Sequence, residues 1–440
     1  MPTDSQANAA ERAREVMAVA VEARLPRLID MTQQLVRVAS PNPPNDTTAI
    51  AAVTEQLLAG IPGVDVRRVE PEPGIVSLVA RVRGSGPGRR LIFNGHLDTF
   101  PVGDGAGWTV PALSGALREG RLYGRGVSDM KGGVACSILA AGLLAECAHA
   151  WPGEVVLTLA ADEESMGSLG TGYLLEHIPE AKGDANICGD AGSPMVARFG
   201  EKGLLWIEVV AHGTAAHGAH VHKGVNAIDR LRQALDTVKD LERLAVEAPA
   251  AVTSAIATAG PLSERLSGAG ESDTLSRVTV NIGTIRGGVS ANLVPAHATA
   301  EADIRLPVGI TTAWLETKLD AALRQLDGVT WRVLRRFEPN FTDPDHEIVV
   351  RVRNAAAEVL DTWPAVNMRV GASDSRWYRM HGVPSVVYGL TPFNMGGPDE
   401  HILLDELKAV AKVHALAAFD FLTIRPLSLE RPSHGEAVRR

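Results

Sequence analysis

The chain has 440 residues, more than a single hydrophobic core usually organises, so two domains are expected. Hydrophobic residues make up 45% of the chain, which is enough apolar material for a large core. The formal net charge of −9 argues against a nucleic acid or an anionic membrane as partner, because both would repel an acidic surface.

The first part of the chain alternates between helical and strand-like patterns. Pro26 should break or kink the first helix, because proline removes a backbone donor. Strands that alternate with helices are typical of a layered α/β sheet. Helices are predicted over residues 11–38, 47–61 and 129–146, and strands over residues 75–82, 90–93 and 154–161.

The pattern changes near Gly200 and changes back after Pro307. Between these points, strands are predicted over residues 204–210, 277–286 and 298–305, with a helix over residues 226–244. Beyond them, the predicted elements alternate again, with helices over residues 312–325, 346–360 and 404–421 and strands over residues 329–335 and 384–388. We therefore expect a large α/β domain in two parts (residues 11–198 and 309–424), a smaller inserted α+β domain (residues 199–308) and a disordered tail (residues 425–440).

Polar side chains follow the predicted strand over residues 90–93. His96 and Asp98 stand two residues apart in the sequence Gly-His-Leu-Asp-Thr, so an extended chain directs both to the same side. A metal-ligating imidazole usually donates its second ring N–H to an acceptor such as a carboxylate, and Asp98 is spaced for that task. An isolated pair of this kind is also common as a polar surface feature.

Further carboxylates occur at later positions. Asp129 lies between glycines ahead of an apolar helix, where it could ligate a metal or cap the helix. Glu163 and Glu164 follow the predicted strand over residues 154–161. Neighbouring side chains diverge, so one can bind a metal while the other moves a proton, although such a pair could also be a solvated loop. Asp190 follows in the sequence Ile-Cys-Gly-Asp.

One imidazole and several carboxylates form a donor set that suits two divalent cations such as zinc, manganese or cobalt. Two cations that share a carboxylate can activate water for attack on a carbonyl group. The donor set therefore predicts a metal-dependent hydrolase.

The order and spacing of these stretches resemble the aminoacylase, acetylornithine deacetylase and succinyl-diaminopimelate desuccinylase family of dinuclear metallo-amidohydrolases, which includes carboxypeptidase G. The resemblance covers residues 25–422 and rests on the combination of GHLDT, GVSDMKGG and DEES. It implies a large metallopeptidase-type three-layer domain with a mixed sheet. A smaller α+β domain, which serves as lid and dimerisation domain, would interrupt it.

The resemblance also implies a role for each site residue. The implied metal ligands are His96, Asp129, Glu164 and Asp190, with Asp129 as the bridge between two metals. Asp98 would orient His96, and Glu163 would act as the general base.

In the smaller domain, the resemblance implies that His217 reaches the active site of a partner subunit and stabilises the oxyanion. A solvated loop is the alternative for this histidine. Asn292, Arg305 and Arg376 match positions that contact substrate in the relatives, and an arginine such as Arg376 suits a carboxylate group. Arg376 could instead pair with Asp374.

One position departs from the family pattern. Relatives place a histidine ligand of the second metal four residues before a glutamate, and here Gly396 stands four residues before Glu400. We therefore expect one tight metal site and one weaker site, unless His401 or another residue fills the gap.

The predicted function is hydrolysis of an amide-type C–N bond in a small carboxylate-bearing substrate, as in a deacylase of N-acyl amino acids. One alternative is a dipeptidase or carboxypeptidase, and another is a hydrolytic deaminase that uses the same water-activating site. A catalytically silent binding protein on the same fold is the alternative from another class.

The three cysteines are an odd number without the close spacing of a thiolate metal site, which indicates reduced thiols. The N-terminal residues do not have the pattern of a signal peptide, and we expect no membrane-spanning segment. The sequence thus predicts a cytoplasmic protein. Its expected partners are a small-molecule substrate and a second copy of the chain, not a nucleic acid or a membrane.

Overall fold

The computed structural model describes residues 4–424, with side chains described from Ala9 onward. The predicted disordered tail, residues 425–440, lies outside the described residues. The α-helices are α1 (Asp4–Ala23), α2 (Leu25–Val36), α3 (Thr48–Ala59), α4 (Gly132–Glu146), α5 (Thr171–His177), α6 (Ala227–Lys239), α7 (Ala250–Ser267), α8 (Glu271–Ser276), α9 (Thr312–Leu323), α10 (Glu347–Leu360), α11 (Ser375–Met380) and α12 (Leu404–Leu422).

The β-strands are β1 (Asp65–Val69), β2 (Ser77–Arg83), β3 (Arg90–His96), β4 (Ala116–Arg118), β5 (Arg121–Tyr123), β6 (Glu154–Ala160), β7 (Ala185–Cys188), β8 (Val196–Glu201), β9 (Gly203–His212), β10 (Ala216–His217), β11 (Thr279–Gly287), β12 (Leu293–Val294), β13 (His297–Leu306), β14 (Val329–Phe337), β15 (Asn340–Phe341), β16 (Ala365–Arg369), β17 (Ser385–Val387) and β18 (His401–Leu403). Pro26 lies in the first turn of α2, where its missing N–H costs nothing, so the predicted break falls just before it.

The chain divides into two compact units. Of the described residues, the larger unit contains those up to Phe199, then Thr342–Asn367 and those from Ser373 onward. The smaller unit contains Gly200–Phe341 and Met368–Ala372. The smaller unit therefore extends beyond residue 308, where the sequence predicted its end. It continues because β14 pairs antiparallel with β9, so α9 and β14 belong to it and not to the large domain.

The large sheet has the strand order β1-β2-β6-β3-β7-β17-β8-β15, and β16 also pairs with β8. It is mixed, because β3 runs parallel to β6 and β7 while β2 runs antiparallel to β6. Successive side chains of β3 point to opposite faces. Phe93 stacks on His414 of α12, and Ile92 packs into a cluster with Leu174 of α5 and Tyr378 of α11. Helices thus cover both faces, which confirms the predicted three-layer arrangement with a mixed sheet.

The smaller unit contains an antiparallel sheet in the order β11-β13-β9-β14. The helices α6 and α9 pack on it, and their Leu231 and Leu315 share one buried core with Val209 of β9 and Ile304 of β13. The side chain of Asn226 caps α6 by accepting hydrogen bonds from the first N–H groups of the helix. The unit is a small α+β fold of the predicted kind.

One stretch of the described chain, Val127–Glu146, is long and apolar enough to cross a membrane, which the sequence analysis did not expect. Of its most apolar window, 89% is buried inside the protein. The stretch includes α4, which packs against α12 and the strands β2, β3 and β6. Its apolar character is therefore that of a core helix.

Candidate metal centre

The strand β3 ends at His96, so the imidazole stands at the carboxyl edge of the large sheet. The ring is almost completely buried. Its Nδ1 lies 3.0 Å from the backbone oxygen of Asp98, and its Nε2 lies 3.1 Å from Oδ1 of Asp129. Burial alone would lower the pKa of His96, but the hydrogen bonds and charges of Asp129 and Asp98 outweigh it and raise the pKa well above its usual value.

Asp129 lies in an irregular turn, and the peptide bond that follows it is cis. The helix α4 begins only at Gly132, with Lys131 at the cap position, so Asp129 does not cap this helix. The turn is held from outside by the buried carboxylate of Glu400, which accepts hydrogen bonds from the N–H groups of Gly126 and Ser128 and from Oγ of Ser128.

Asp190 follows β7, which is parallel to β3, so both strands end at the same edge of the sheet. Ligand atoms of His96, Asp129 and Asp190 all lie within 4.8 Å of one another. The close approach depends on glycine: a Cβ on Gly133 at the start of α4 would lie 1.9 Å from the carbonyl oxygen of Gly189. Three of the four predicted metal ligands therefore converge.

The carboxylate of Asp98 is fully buried and has a wider role than the sequence analysis expected. Its Oδ1 accepts a hydrogen bond from the N–H of Glu163 at 3.1 Å, and its Oδ2 accepts one from the N–H of Glu164 at 3.0 Å. Asn42, which the sequence analysis did not single out, donates its side-chain amide to the same Oδ2 at 2.9 Å. Asp98 thus connects the histidine segment to the acidic pair.

The acidic pair lies in a short turn after β6 and is not a solvated loop. Burial raises the pKa of Glu163 to about 8 and that of Glu164 to about 10, and neighbouring carboxylates add to both shifts. Oε1 of Glu164 is buried without a hydrogen-bond partner among the described residues. Buried carboxylates with raised pKa values indicate a place where a cation is energetically favoured.

Gly396 stands at the position of the expected histidine, and His401 was the first candidate to replace it. His401 does not belong to the group of three possible ligands found in the described chain. Gly396 has a φ of +74°, and its carbonyl oxygen accepts a hydrogen bond from Nη2 of Arg125 at 2.9 Å. The ring of His401 stacks on Phe393, with centroids 5.0 Å apart, and its Nδ1 lies 2.9 Å from the backbone oxygen of Asp399.

Three predicted site residues belong to the smaller unit. His217 of β10 is opposite Leu293 of β12, and the N–H of Gly218 donates to the carbonyl oxygen of Asn292 at 2.6 Å. His217 on β10 and Asn292, which directly precedes β12, therefore lie close together in the chain fold, and both are exposed. Arg305 lies on β13, where its Nε donates to both carboxylate oxygens of Asp303 at 2.9 and 3.0 Å.

Arg376 belongs to the larger unit and is only 1% exposed. Its Nη1 lies 3.3 Å from Oε1 of Glu163 and donates to the carbonyl oxygen of Ser373 at 2.7 Å. The sequence suggests a substrate carboxylate or Asp374 as the partner of Arg376. A contact with Glu163 was not foreseen, because the two residues are far apart in sequence.

The profile of Peptidase family M20/M25/M40 matches residues 92–420. The chain belongs to this family. Succinyl-diaminopimelate desuccinylase of Rhodospirillum centenum is 28% identical to it over 398 residues, which cover 88% of this chain and 96% of that enzyme. The predicted family is thus confirmed.

Two solved M20 structures have the same fold. An M20 family metallo-carboxypeptidase of Sulfolobus solfataricus aligns with a TM-score of 0.74 at 21% identity, covering 91% of this chain and 99% of its own. A dinuclear metal-binding peptidase of Bacillus subtilis aligns with a TM-score of 0.64 at 14% identity, covering 91% and 99%. The M20 chain is a hydrolase of carbon–nitrogen bonds with a divalent metal as cofactor, and the predicted enzyme class is confirmed.

Proposed function

We propose that this M20 enzyme is a deacylase that hydrolyses the amide bond of a small N-acyl amino acid. One observation carries the proposal: His96, Asp129 and Asp190 converge in a largely buried cluster, and the carboxylate of Asp98, next to His96, accepts a hydrogen bond from the N–H of Glu163. A water-activating centre beside a buried carboxylate is suited to attack on an amide carbonyl.

The donor set fits divalent cations. His96, Asp129 and Asp190 would hold the first, and Asp129 and Glu164 would hold a second, weaker one. The buried Oε1 of Glu164, which has no hydrogen-bond partner among the described residues, is the observation that supports this fit. A bound divalent cation, with zinc as the first candidate and manganese or cobalt as the others, supplies positive charge that polarises the carbonyl group and lowers the pKa of water.

Glu163 would take a proton from the attacking water and later give it to the leaving nitrogen. Its backbone N–H is fixed by Asp98, so the side chain starts from a defined position. Asn292 and Arg305 would contact the substrate, with the guanidinium of Arg305 suited to a carboxylate group.

We further propose a cytoplasmic homodimer in which His217 stabilises the oxyanion in the partner's active site. The strand β11 is at the edge of its sheet, and an edge strand is a template for pairing with another chain. Exposed apolar side chains on and after β11 support a second copy of the chain as its partner. Ile285 is 61% exposed and Val289 is 91% exposed.

The test is turnover of the protein loaded in turn with zinc, manganese and cobalt. N-succinyl and N-acetyl amino acids are compared with dipeptides and with substrates of hydrolytic deamination. The proposal expects the N-acyl amino acids to have the highest kcat/KM. Faster cleavage of dipeptides would replace it with a dipeptidase function. A Glu163→Gln protein, purified in parallel, identifies activity from contaminants.

A further inference from the structure

We propose that Arg376 is a positioning residue that holds the carboxylate of Glu163, and that it does not bind a carboxylate of the substrate. The inference rests on the proposed function, in which Glu163 moves the proton. The guanidinium is buried, its Nη1 is 3.3 Å from Oε1 of Glu163, and the same Nη1 is anchored on the carbonyl oxygen of Ser373 at 2.7 Å.

Two further contacts join the start of α11 to the part of the chain that follows Glu163. Nε1 of Trp377 donates to the carbonyl oxygen of Met166 at 3.1 Å. Oγ1 of Thr171 donates to Oδ2 of Asp374 at 2.7 Å. Two neighbours of Arg376 in sequence, Asp374 and Trp377, therefore bond to the part of the chain that follows Glu163.

The packing around Gly167 leaves no space for a side chain at this position. A Cβ on Gly167 would lie 2.5 Å from Oδ1 of Asp374 and 2.8 Å from Nε1 of Trp377. The absence of that atom allows the segment of Glu163 and the start of α11 to approach closely. Such close packing holds the guanidinium of Arg376 in place, which is typical of a group that orients a catalytic side chain.

The physical need for such support follows from the charges. Glu163 is buried near the carboxylates of Asp374 and Asp190, which repel its charged form. A glutamate side chain also has several rotamers that it must give up to stay in one position. A buried guanidinium, fixed at its own carbonyl partner, restricts the side chain to one position and offsets the repulsion.

The test is a double-mutant cycle on turnover with Arg376→Met and Glu163→Gln in the metal-loaded enzyme. If Arg376 acts through Glu163, Arg376→Met lowers kcat about 10- to 100-fold in the native background, since a misplacement near 1 Å has an effect of this size. In the Glu163→Gln background the same change has little further effect, because the coupling partner is already lost. KM for a carboxylate-bearing substrate stays within about twofold.

Equal losses in both backgrounds would show that Arg376 acts independently of Glu163, and a rise in KM with unchanged kcat would show that it binds substrate. Either result would overturn this inference and leave the proposed function standing. Near-native turnover of Glu163→Gln by itself would remove both the proposed base and this inference. Arg376→Lys should recover part of the activity, and it carries the test if the methionine variant does not fold.

The matched control is Arg379→Met, which removes an arginine from the same helix. Nη2 of Arg379 points to the carbonyl oxygen of Ser385 at 3.5 Å. This variant should keep native kcat. A loss as large as that of Arg376→Met would mean that any arginine lost from α11 disturbs the site, and would overturn the specific role.

Discussion

Nη1 of Arg125 lies 2.7 Å from Oε2 of Glu400, and the two side chains are only 4% and 1% exposed. The same Oε2 accepts a hydrogen bond from the N–H of Gly126, so the ion pair fixes the turn that presents Asp129. Nη2 of Arg125 also donates to the carbonyl oxygen of Gly396. The ion pair therefore connects the turn of Asp129 to the segment in which glycine stands at the position of the expected histidine.

Removal of one partner of this pair should be strongly destabilising. We expect Arg125→Met to lower the free energy of unfolding by about 3–5 kcal/mol, because it leaves the carboxylate of Glu400 buried without its ion partner. Urea unfolding of the metal-free protein measures the change. Arg243→Ala, which removes a well-exposed partner of Asp240, is the control and should have no measurable effect. A loss for Arg125→Met below about 1 kcal/mol would contradict the expected penalty for a lone buried charge.

The second prediction concerns Glu163. We expect Glu163→Gln to retain its metal content and to lose roughly 10²–10⁴-fold in turnover, the usual contribution of a general base. Steady-state kinetics and elemental analysis of the same sample give the two values. Near-native turnover would exclude Glu163 as the base, whereas loss of metal would show that it is a ligand.

The third prediction concerns metal stoichiometry. Calorimetric titration of metal-free protein should show one tight equivalent and one weak equivalent, because the second site has fewer protein ligands. Chelator should remove the weak equivalent first. Gly396→His should tighten that equivalent, although the left-handed backbone at φ +74° makes a side chain there less favourable than in extended chain.

Two equally tight equivalents in the native sequence would mean that another side chain completes the second site. Gly397→His, one residue further along, is the matched control and should leave both affinities unchanged. An equal effect of the two histidines would indicate adventitious binding.

The fourth prediction concerns assembly. If His217 serves the active site of a partner, mixed dimers of His217→Ala and Glu163→Gln should contain one intact composite site. Co-expression with two different affinity tags isolates the mixed dimer, and its expected kcat is about half that of the native dimer. An inactive mixed dimer with proven composition would place His217 in its own subunit's site, whereas a fully active His217→Ala homodimer would place it outside catalysis.

The fifth prediction concerns stability in acid. His414 is buried, its Nε2 lies 2.8 Å from the carbonyl oxygen of Tyr388, and burial lowers its pKa to about 4. In the unfolded chain His414 binds a proton near pH 6.5. The stability that depends on neutral His414 is therefore complete above about pH 6.5 and is lost as the pH falls toward about 4. The total loss is roughly 3 kcal/mol.

Unfolding free energies at pH 7.5 and pH 5 measure the larger part of this loss, about 2 kcal/mol. His414→Gln can still donate to Tyr388 but cannot titrate, so its stability should fall less between the two pH values than that of the native protein. The difference between the two proteins removes contributions from other titrating groups. Equal falls would show that His414 is not a source of acid sensitivity.

Sequence reasoning identified the residues at strand ends because the carboxyl ends of parallel strands meet at one edge. His96 illustrates this, because it follows the strand that was predicted over residues 90–93. The strand β7 before Asp190, which is adjacent and parallel to β3, was not predicted, and the role of Asp190 was inferred from the family resemblance. Asn42 and Arg125 were missed because their partners, Asp98 and Glu400, are far away in sequence. No local pattern distinguishes a buried polar residue of this kind from one in a solvated loop.

The boundary of the smaller unit was missed for a related reason. The helix α9 and the strand β14 continue the same alternation that the large domain shows, and only the pairing of β14 with β9 assigns them to the smaller sheet. Such long-range pairing leaves no trace in composition. The helix α7 was also not predicted, since it is rich in small residues and contains Pro261.

The contact between Gly133 and Gly189 determines how the candidate metal centre responds to amino-acid substitutions nearby. Because main chain touches main chain there, the distance from α4 to the turn before Asp190 does not depend on the size of any side chain. Drift in the surrounding aliphatic residues can therefore proceed without moving the ligands. The contact leaves no space for even a single methyl group at position 133. We therefore expect a saturation mutagenesis screen to accept no substitution of Gly133, although this residue has no side chain to contribute to the site.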